Sequence, residues 1–85
     1  MRVTIASPLL SYTGRREVEA RGATVDEVLH DLDRQFPGIR FRMVDEQDGL
    51  RRHMRVFLDR EETRELSARI PAGVSLHIVQ ALSGG

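Results

Sequence analysis

The residues best suited to chemistry stand at the end of the chain, Leu82-Ser83-Gly84-Gly85, where two consecutive glycines occupy the last two positions. With glycine at about 7% of residues, such a pair would close roughly 0.5% of chains by chance. Lacking Cβ atoms, Gly84 and Gly85 let an extended chain thread a narrow channel and bend at the reacting atom through φ values closed to other residues. Ser83 is small enough to follow. A free carboxylate is a poor electrophile, so this tail would react only after another molecule activates it. The bland alternative is a frayed terminus or a remnant of expression.

No other set of residues forms a catalytic pattern. His30, His53 and His77 make no HExxH, no His-x-x-x-His and no nucleophile elbow, and the glycine spacing fits no phosphate loop. The absence of cysteine excludes a disulfide framework, a thiolate zinc site, an iron–sulfur cluster and a cysteine nucleophile. No metal site is expected. The 13 basic residues are all arginine and balance 13 acidic ones, so the net charge is zero and no global field favours nucleic acid or an anionic membrane. Without lysine there is no amine for Schiff-base chemistry and no side-chain acceptor for an isopeptide bond. Arg51, Arg52, His53 and Arg55 form the one local basic cluster, and Asp59 to Glu65 a local acidic stretch. The basic cluster lacks the aromatic interleaving of a nucleic-acid site, having only Phe57. Apolar runs of a few residues are too short to cross a bilayer, and Met1 leads directly into strand-like sequence, so a cytosolic protein is expected.

The elements that must position the tail come from 85 residues, enough for one domain. At this size folding hides roughly 60 to 65% of the unfolded chain's surface, so the core is small and function belongs on a surface or at an end. Val3 and Ile5 alternate with Thr4 as a strand, which Leu9 and Leu10 extend past Pro8. Ser11 to Gly14 reads as a turn, and Arg15 to Ala20 as a second strand in a hairpin with the first. Val25, Val28, Leu29, Leu32 and Phe36 then follow helical spacing. Thr24 is its N-cap, Glu27 completes a reciprocal capping box, and Pro37-Gly38 stops it. Ile39 to Val44 has mixed periodicity and Asp45 to Gly49 is a polar loop. Met54 to Leu58 is a third strand ending at Asp59-Arg60, a short strand or turn lies around Thr63 to Leu66, and Val74 to Val79 is the last strand.

These elements predict an α+β domain over residues 1–81, a mixed sheet with one main helix on one face, followed by a tail at 82–85. If Met54, Val56 and Leu58 face the helix, Phe57 lies on the open face. Flanked by Arg55 and His77, it forms a candidate docking spot for a partner protein.

Across nearly its whole length the chain resembles the ubiquitin-like sulfur-carrier family, β-grasp proteins that include the molybdopterin synthase small subunit and the thiamine sulfur carrier. The resemblance rests on Val3-Thr4-Ile5, Thr13-Gly14, Gly22-Ala23-Thr24-Val25, Phe36-Pro37-Gly38, Val56-Phe57-Leu58-Asp59 and, most specifically, Ala81-Leu82-Ser83-Gly84-Gly85. The chain departs from the family pattern at Ala72-Gly73-Val74, which lacks the frequent acidic neighbours, at Gln80 in place of proline, and at Asp59 in place of asparagine.

The resemblance implies that a ubiquitin-activating-type enzyme adenylates Gly85 with ATP and magnesium, and that a sulfur donor converts the adenylate to a thiocarboxylate. Gly84 is then the required neighbour, and Leu82 and Ser83 belong to the partner's grip. The chain itself binds no cofactor and is a co-substrate, not an enzyme. The Asp45 to His53 segment, the Arg52 to Asp59 stretch and the Leu66 to Gly85 block look most like carriers of actinobacterial cysteine biosynthesis, with related versions in secondary metabolism. In the cysteine route the thiocarboxylate attacks an activated serine on a cysteine synthase, the adduct rearranges to the amide, and a metalloprotease releases cysteine. The alternatives are a molybdopterin synthase small subunit and a ubiquitin-like modifier or binding module.

Overall fold

Four apolar residues recurring on one helical stripe need a dry surface to cover them, and that need organises the chain. In the computed structural model, which describes residues 1–81, the stripe belongs to helix α2 (Val25–Gln35). Val25, Val28, Leu29 and Leu32 are all buried. Phe36 stands at the C-cap and packs on the core from a half-buried position. Thr24 caps the start, its Oγ1 accepting the Glu27 N–H at 3.2 Å.

The capping box predicts that the Glu27 carboxylate returns to the Thr24 N–H, but it accepts from the Ala23 N–H at 2.8 Å. The chain before the helix runs extended against residues 66–70. Thr24 bridges to Arg69, and the Ile70 N–H donates to the Ala23 carbonyl at 2.9 Å. The same segment accepts the free N–H groups of the helix's first turn, Val25 to the Ala68 carbonyl and Asp26 to that of Leu66. Gly22 lets the chain pass close against the first turn of α2, because a Cβ there would lie 2.6 Å from the Val28 nitrogen.

The sheet beneath α2 has five strands: β1 (Arg2–Thr4), β2 (Glu17–Glu19), β3 (Met54–Leu58), β4 (Glu61–Thr63) and β5 (Leu76–Gln80), in the order β2-β1-β5-β3-β4. Only the central β1–β5 pair is parallel, so the sheet is mixed, as expected. Val3, Val18, Met54, Val56, Leu76 and Ile78 point to one side and join the α2 stripe in a single buried cluster. Their alternate neighbours point the other way.

The structure corrects four local readings. Leu9 and Leu10 do not extend β1. Pro8 suits the first turn of a 3₁₀ helix at Ser7–Leu9, which runs into helix α1 (Leu10–Thr13) and ends at Gly14 with φ +74°. That path turns Leu9 into the core. β1 and β2 still pair antiparallel, with Val3 opposite Val18. Ile39 to Val44 is mostly helix α3 (Ile39–Met43), started across the Pro37-Gly38 break by the Asp33 carboxylate, whose Oδ1 accepts the N–H groups of Gly38 and Arg40 at 3.1 Å each. β4 begins two residues before the expected position, because Asp59 takes a positive φ of 53° and turns the chain back at once, pairing Leu58 with Glu61. The last strand starts at Leu76 rather than Val74. Ser75 is held instead by Asp59, whose N–H donates to the Ser75 carbonyl and whose Oδ1 accepts the Ser75 N–H.

Leu32 sits on the stripe with no exposed surface. Leu32→Ala should therefore cost about 2 to 5 kcal/mol in a denaturant titration. A loss under about 1 kcal/mol would mean that the stripe does not carry the packing.

Candidate functional site

Strand alternation builds the first part of the site. Because Val56 and Leu58 turn toward the helix side, Arg55 and Phe57 occupy the open face. The register sets Phe57 opposite His77 on β5 and Glu62 on β4. Phe57 is half-buried and lies outside the core cluster. His77 is hydrogen-bonded through Nδ1 to Thr4 Oγ1 at 3.0 Å, which fixes its ring beside β1. The Arg55 guanidinium lies 3.4 Å from Glu62. Both side chains are well exposed, so that pair contributes little stability. Phe57, Arg55 and His77 are thus brought onto one surface, as the sequence predicts. Val79, two residues beyond His77, adds an apolar side chain 42% exposed. Its alternation with Ile78 was the available signal for it.

The second part is the root of the tail. β5 ends at Gln80, and the Ala81 N–H donates to the His53 carbonyl at 2.7 Å. Leu82, Ser83, Gly84 and Gly85 lie outside the described residues. Beside this root is a groove of about 360 Å³ lined by Phe41, Arg42, Arg51, His53, Met54 and Gln80. Phe41 is 60% exposed. The Arg51 guanidinium stacks 4.8 Å from its ring centroid, while Arg51 Nε donates to the Phe41 carbonyl at 2.8 Å. A cation–π contact at an exposed site contributes on the order of 0.5–1 kcal/mol. Sequence reasoning singled out Arg51, Arg52, His53 and Arg55 but missed Phe41. Once Ile39–Met43 is helical, Phe41 lies two residues from each of the buried Ile39 and Met43 and must point outward.

Asp45 organises the loop leading into this groove. Its Oδ1 accepts the N–H groups of Gln47 and Gly49 at 2.9 Å each. The bond from Gly49 chiefly holds the carboxyl below its ordinary range, against the opposing effect of burial, with the bond from Gln47 and the charge of Arg51 adding to it. The histidines stand apart: His77 on the open face, His53 at the tail root, and His30 on α2 at 3.4 Å from Asp26. Among the described residues, no three His, Asp or Glu side chains converge as a metal ion would require, and no helix is long and apolar enough to cross a membrane.

Residues 3–85 match the ThiS family. The chain belongs to that family. It is 32% identical to the sulfur carrier protein CysO of Mycobacterium tuberculosis, a match covering all of both chains. Among solved structures, it superposes on a chain of the Amycolatopsis orientalis BexX/CysO complex with a TM-score of 0.90 and 36% identity, covering 99% of this chain and 98% of that one. It also resembles SAMP1 from Haloferax volcanii, with a TM-score of 0.78, 27% identity, and 100% and 98% coverage. The five-stranded mixed sheet carrying α2 is therefore the β-grasp fold of this ThiS family member.

Two outcomes follow from the site's geometry. Phe57→Ala should lower stability by about 1 kcal/mol or less, against roughly 3–5 for a buried phenylalanine, when unfolding is followed in denaturant. For Asp45, a carboxyl lowered by folding adds stability that is complete above its unfolded pKa and drains as pH falls below it. The stability difference between wild type and Asp45→Asn should be constant above about pH 5 and shrink toward about pH 3. A difference independent of pH across that range would remove the Asp45 carboxylate from the loop's support.

Proposed function

We propose that this chain is a sulfur carrier whose Gly85 is activated and loaded with sulfur by a partner enzyme in the cytoplasm. The observation that carries this reading is the family match running through residue 85 on a β-grasp domain whose Ala81 is held to His53, three residues before Gly84-Gly85. In the first step the Gly85 carboxylate attacks the α-phosphorus of ATP, with magnesium on the activating enzyme, and pyrophosphate leaves. In the second, a sulfide nucleophile attacks the acyl carbon, AMP leaves, and the thiol proton passes to solvent, giving the thiocarboxylate. Gly84 gives the chain room to bend beside the reacting atom, and Leu82 and Ser83 lie in the partner's channel. The chain holds no cofactor of its own and acts as co-substrate.

The recipient of the sulfur is a biosynthetic enzyme of the cysteine-synthase kind, with a metalloprotease releasing the product, or its counterpart in secondary metabolism. Full-length likeness to CysO supports that choice. Phe57, Arg55 and His77 present the face on which the activating enzyme docks. The likeness to SAMP1 favours one further reading, a protein modifier joined through Gly85 to amines of other proteins.

Protein incubated with its activating enzyme, ATP and sulfide should gain the mass difference between one sulfur and one oxygen at Gly85. Deleting Gly85 should abolish the gain and leave thermal unfolding unchanged. A deleted chain that still acquires sulfur, or an intact chain that gains none from an enzyme competent on another carrier, sinks the carrier reading. Phe57→Ala should raise that enzyme's KM for the protein about tenfold or more. An unchanged KM would remove Phe57 from the docking face.

A further inference from the structure

Charge in this neutral protein is not spread evenly. Arg42, Arg51 and His53 gather at the end of the sheet where Ala81 leaves it, with Arg52 between Arg51 and His53 in the chain. Among the described residues, Arg55 pairs with Glu62, whereas Arg42, Arg51 and Arg52 have no carboxylate within ion-pair distance. The acidic group whose field Arg51 feels is Asp45, and that carboxylate is already engaged by two backbone N–H groups. Arg42, Arg51 and His53 line a concave groove with Phe41 as its exposed aromatic wall.

An exposed phenylalanine under a guanidinium, ringed by uncompensated arginines, has little to do in holding the fold together. Ile39 and Met43 already anchor α3 on its inner side. The combination suits a ligand that brings negative charge for the arginines and an apolar side chain for the ring. Arginine's planar fork pairs with a carboxylate through two parallel hydrogen bonds, which gives direction as well as charge. The groove also touches Gln80, one residue before the root of the tail, so whatever fills it is positioned relative to the tail.

We propose that the Phe41–Arg51 groove docks an acidic protein segment bearing an apolar side chain, supplied by the enzyme that acts on Gly85. Only the identity of the enzyme rests on the carrier reading; the chemistry of the segment rests on the groove. This contact is separate from the Phe57 face, because Phe41 projects from α3 and not from the sheet. It clamps the domain at the point where the tail departs, beside the residue on which that enzyme acts.

The test uses the full chain and a synthetic peptide of alternating Glu and Leu, beside the same peptide with Gln for Glu. Titration of isotope-labelled protein with the acidic peptide should move the amide signals of Phe41, Arg42, Arg51, His53 and Gln80 and leave those of β4 unmoved. Binding should weaken as salt rises from about 0.01 to about 0.1 M, which shortens the screening length from roughly 30 to 10 Å. Phe41→Ala and the double variant Arg42→Glu/Arg52→Glu should each weaken binding about tenfold or more, and Arg60→Glu, beyond the far end of β3, should not. Arg42 and Arg52 are exposed, so their variant remains informative if Phe41→Ala disturbs α3.

Absent shifts, shifts confined to the Phe57 face, or equal binding of the Gln peptide would overturn the proposal. So would equal binding of AMP or tripolyphosphate, which would make the groove a small-anion site, or sedimentation showing that a second copy of the chain fills it. Repeating the titration on the Gly85-deleted chain keeps the two readings apart. Binding there without sulfur loading in the intact protein would leave the groove assignment standing and the carrier reading fallen.

Discussion

Helix α2 has one apolar stripe and the sheet has two faces, so the helix can dry only one of them. Val28, Leu29 and Leu32 lose all exposure in a cluster with Val3, Val56, Leu76 and Ile78. Each of those strand residues commits its neighbours to the opposite side, because successive side chains alternate. Thr4, Arg55, Phe57, His77 and Val79 are placed in the open by that choice alone. The polar members of this face are tied down, His77 by Thr4 and Arg55 by Glu62. Phe57 and Val79 are left as its apolar content.

The proposed function asks for a well-held root where the chain leaves the sheet. β5 supplies the root. It lies in the middle of the sheet between β1 and β3, and its pairing with β3 runs through five residues from Leu76 to Gln80. The Ala81 N–H adds one more bond, to the His53 carbonyl. Central strands open least readily, because opening them breaks ladders on both sides. At Leu76 and His77 the strand is paired on both sides, and from Ile78 to Gln80 it is held by β3 alone.

The same end of the molecule holds the groove of Phe41, Arg51 and His53, and this convergence depends on turns rather than on long elements. Asp33 starts α3 across the proline-glycine break, and Asp45 folds the next loop so that the Arg51 N–H reaches the Met43 carbonyl. Two aspartates accepting backbone N–H bonds in this way bring residues 41 and 51 face to face.

The sequence alone determined the parts of this protein that have a period. Helix α2 with its Thr24 cap, the inward and outward residues of β3 and β5, the α+β class and the β-grasp resemblance are legible because burial repeats every 3.6 or 2 residues over several turns or pairs. The placement of Phe57, Arg55 and His77 on one face follows from the same rule. Tertiary structure decided whatever is shorter than a period or is set by a distant partner. Leu10–Thr13 and Ile39–Met43 span about one turn each, too little for a pattern to show, and their direction comes from Pro8, Gly14, Gly38 and the Asp33 carboxylate. The position of β4 turned on the positive φ of Asp59 and its bonds to Ser75, sixteen residues away. The Phe41–Arg51 contact joins residues ten apart across a loop, and no local spacing encodes it. It exists because the Asp45 carboxylate gathers the N–H groups of Gln47 and Gly49 and so folds the loop that brings Arg51 back to Phe41.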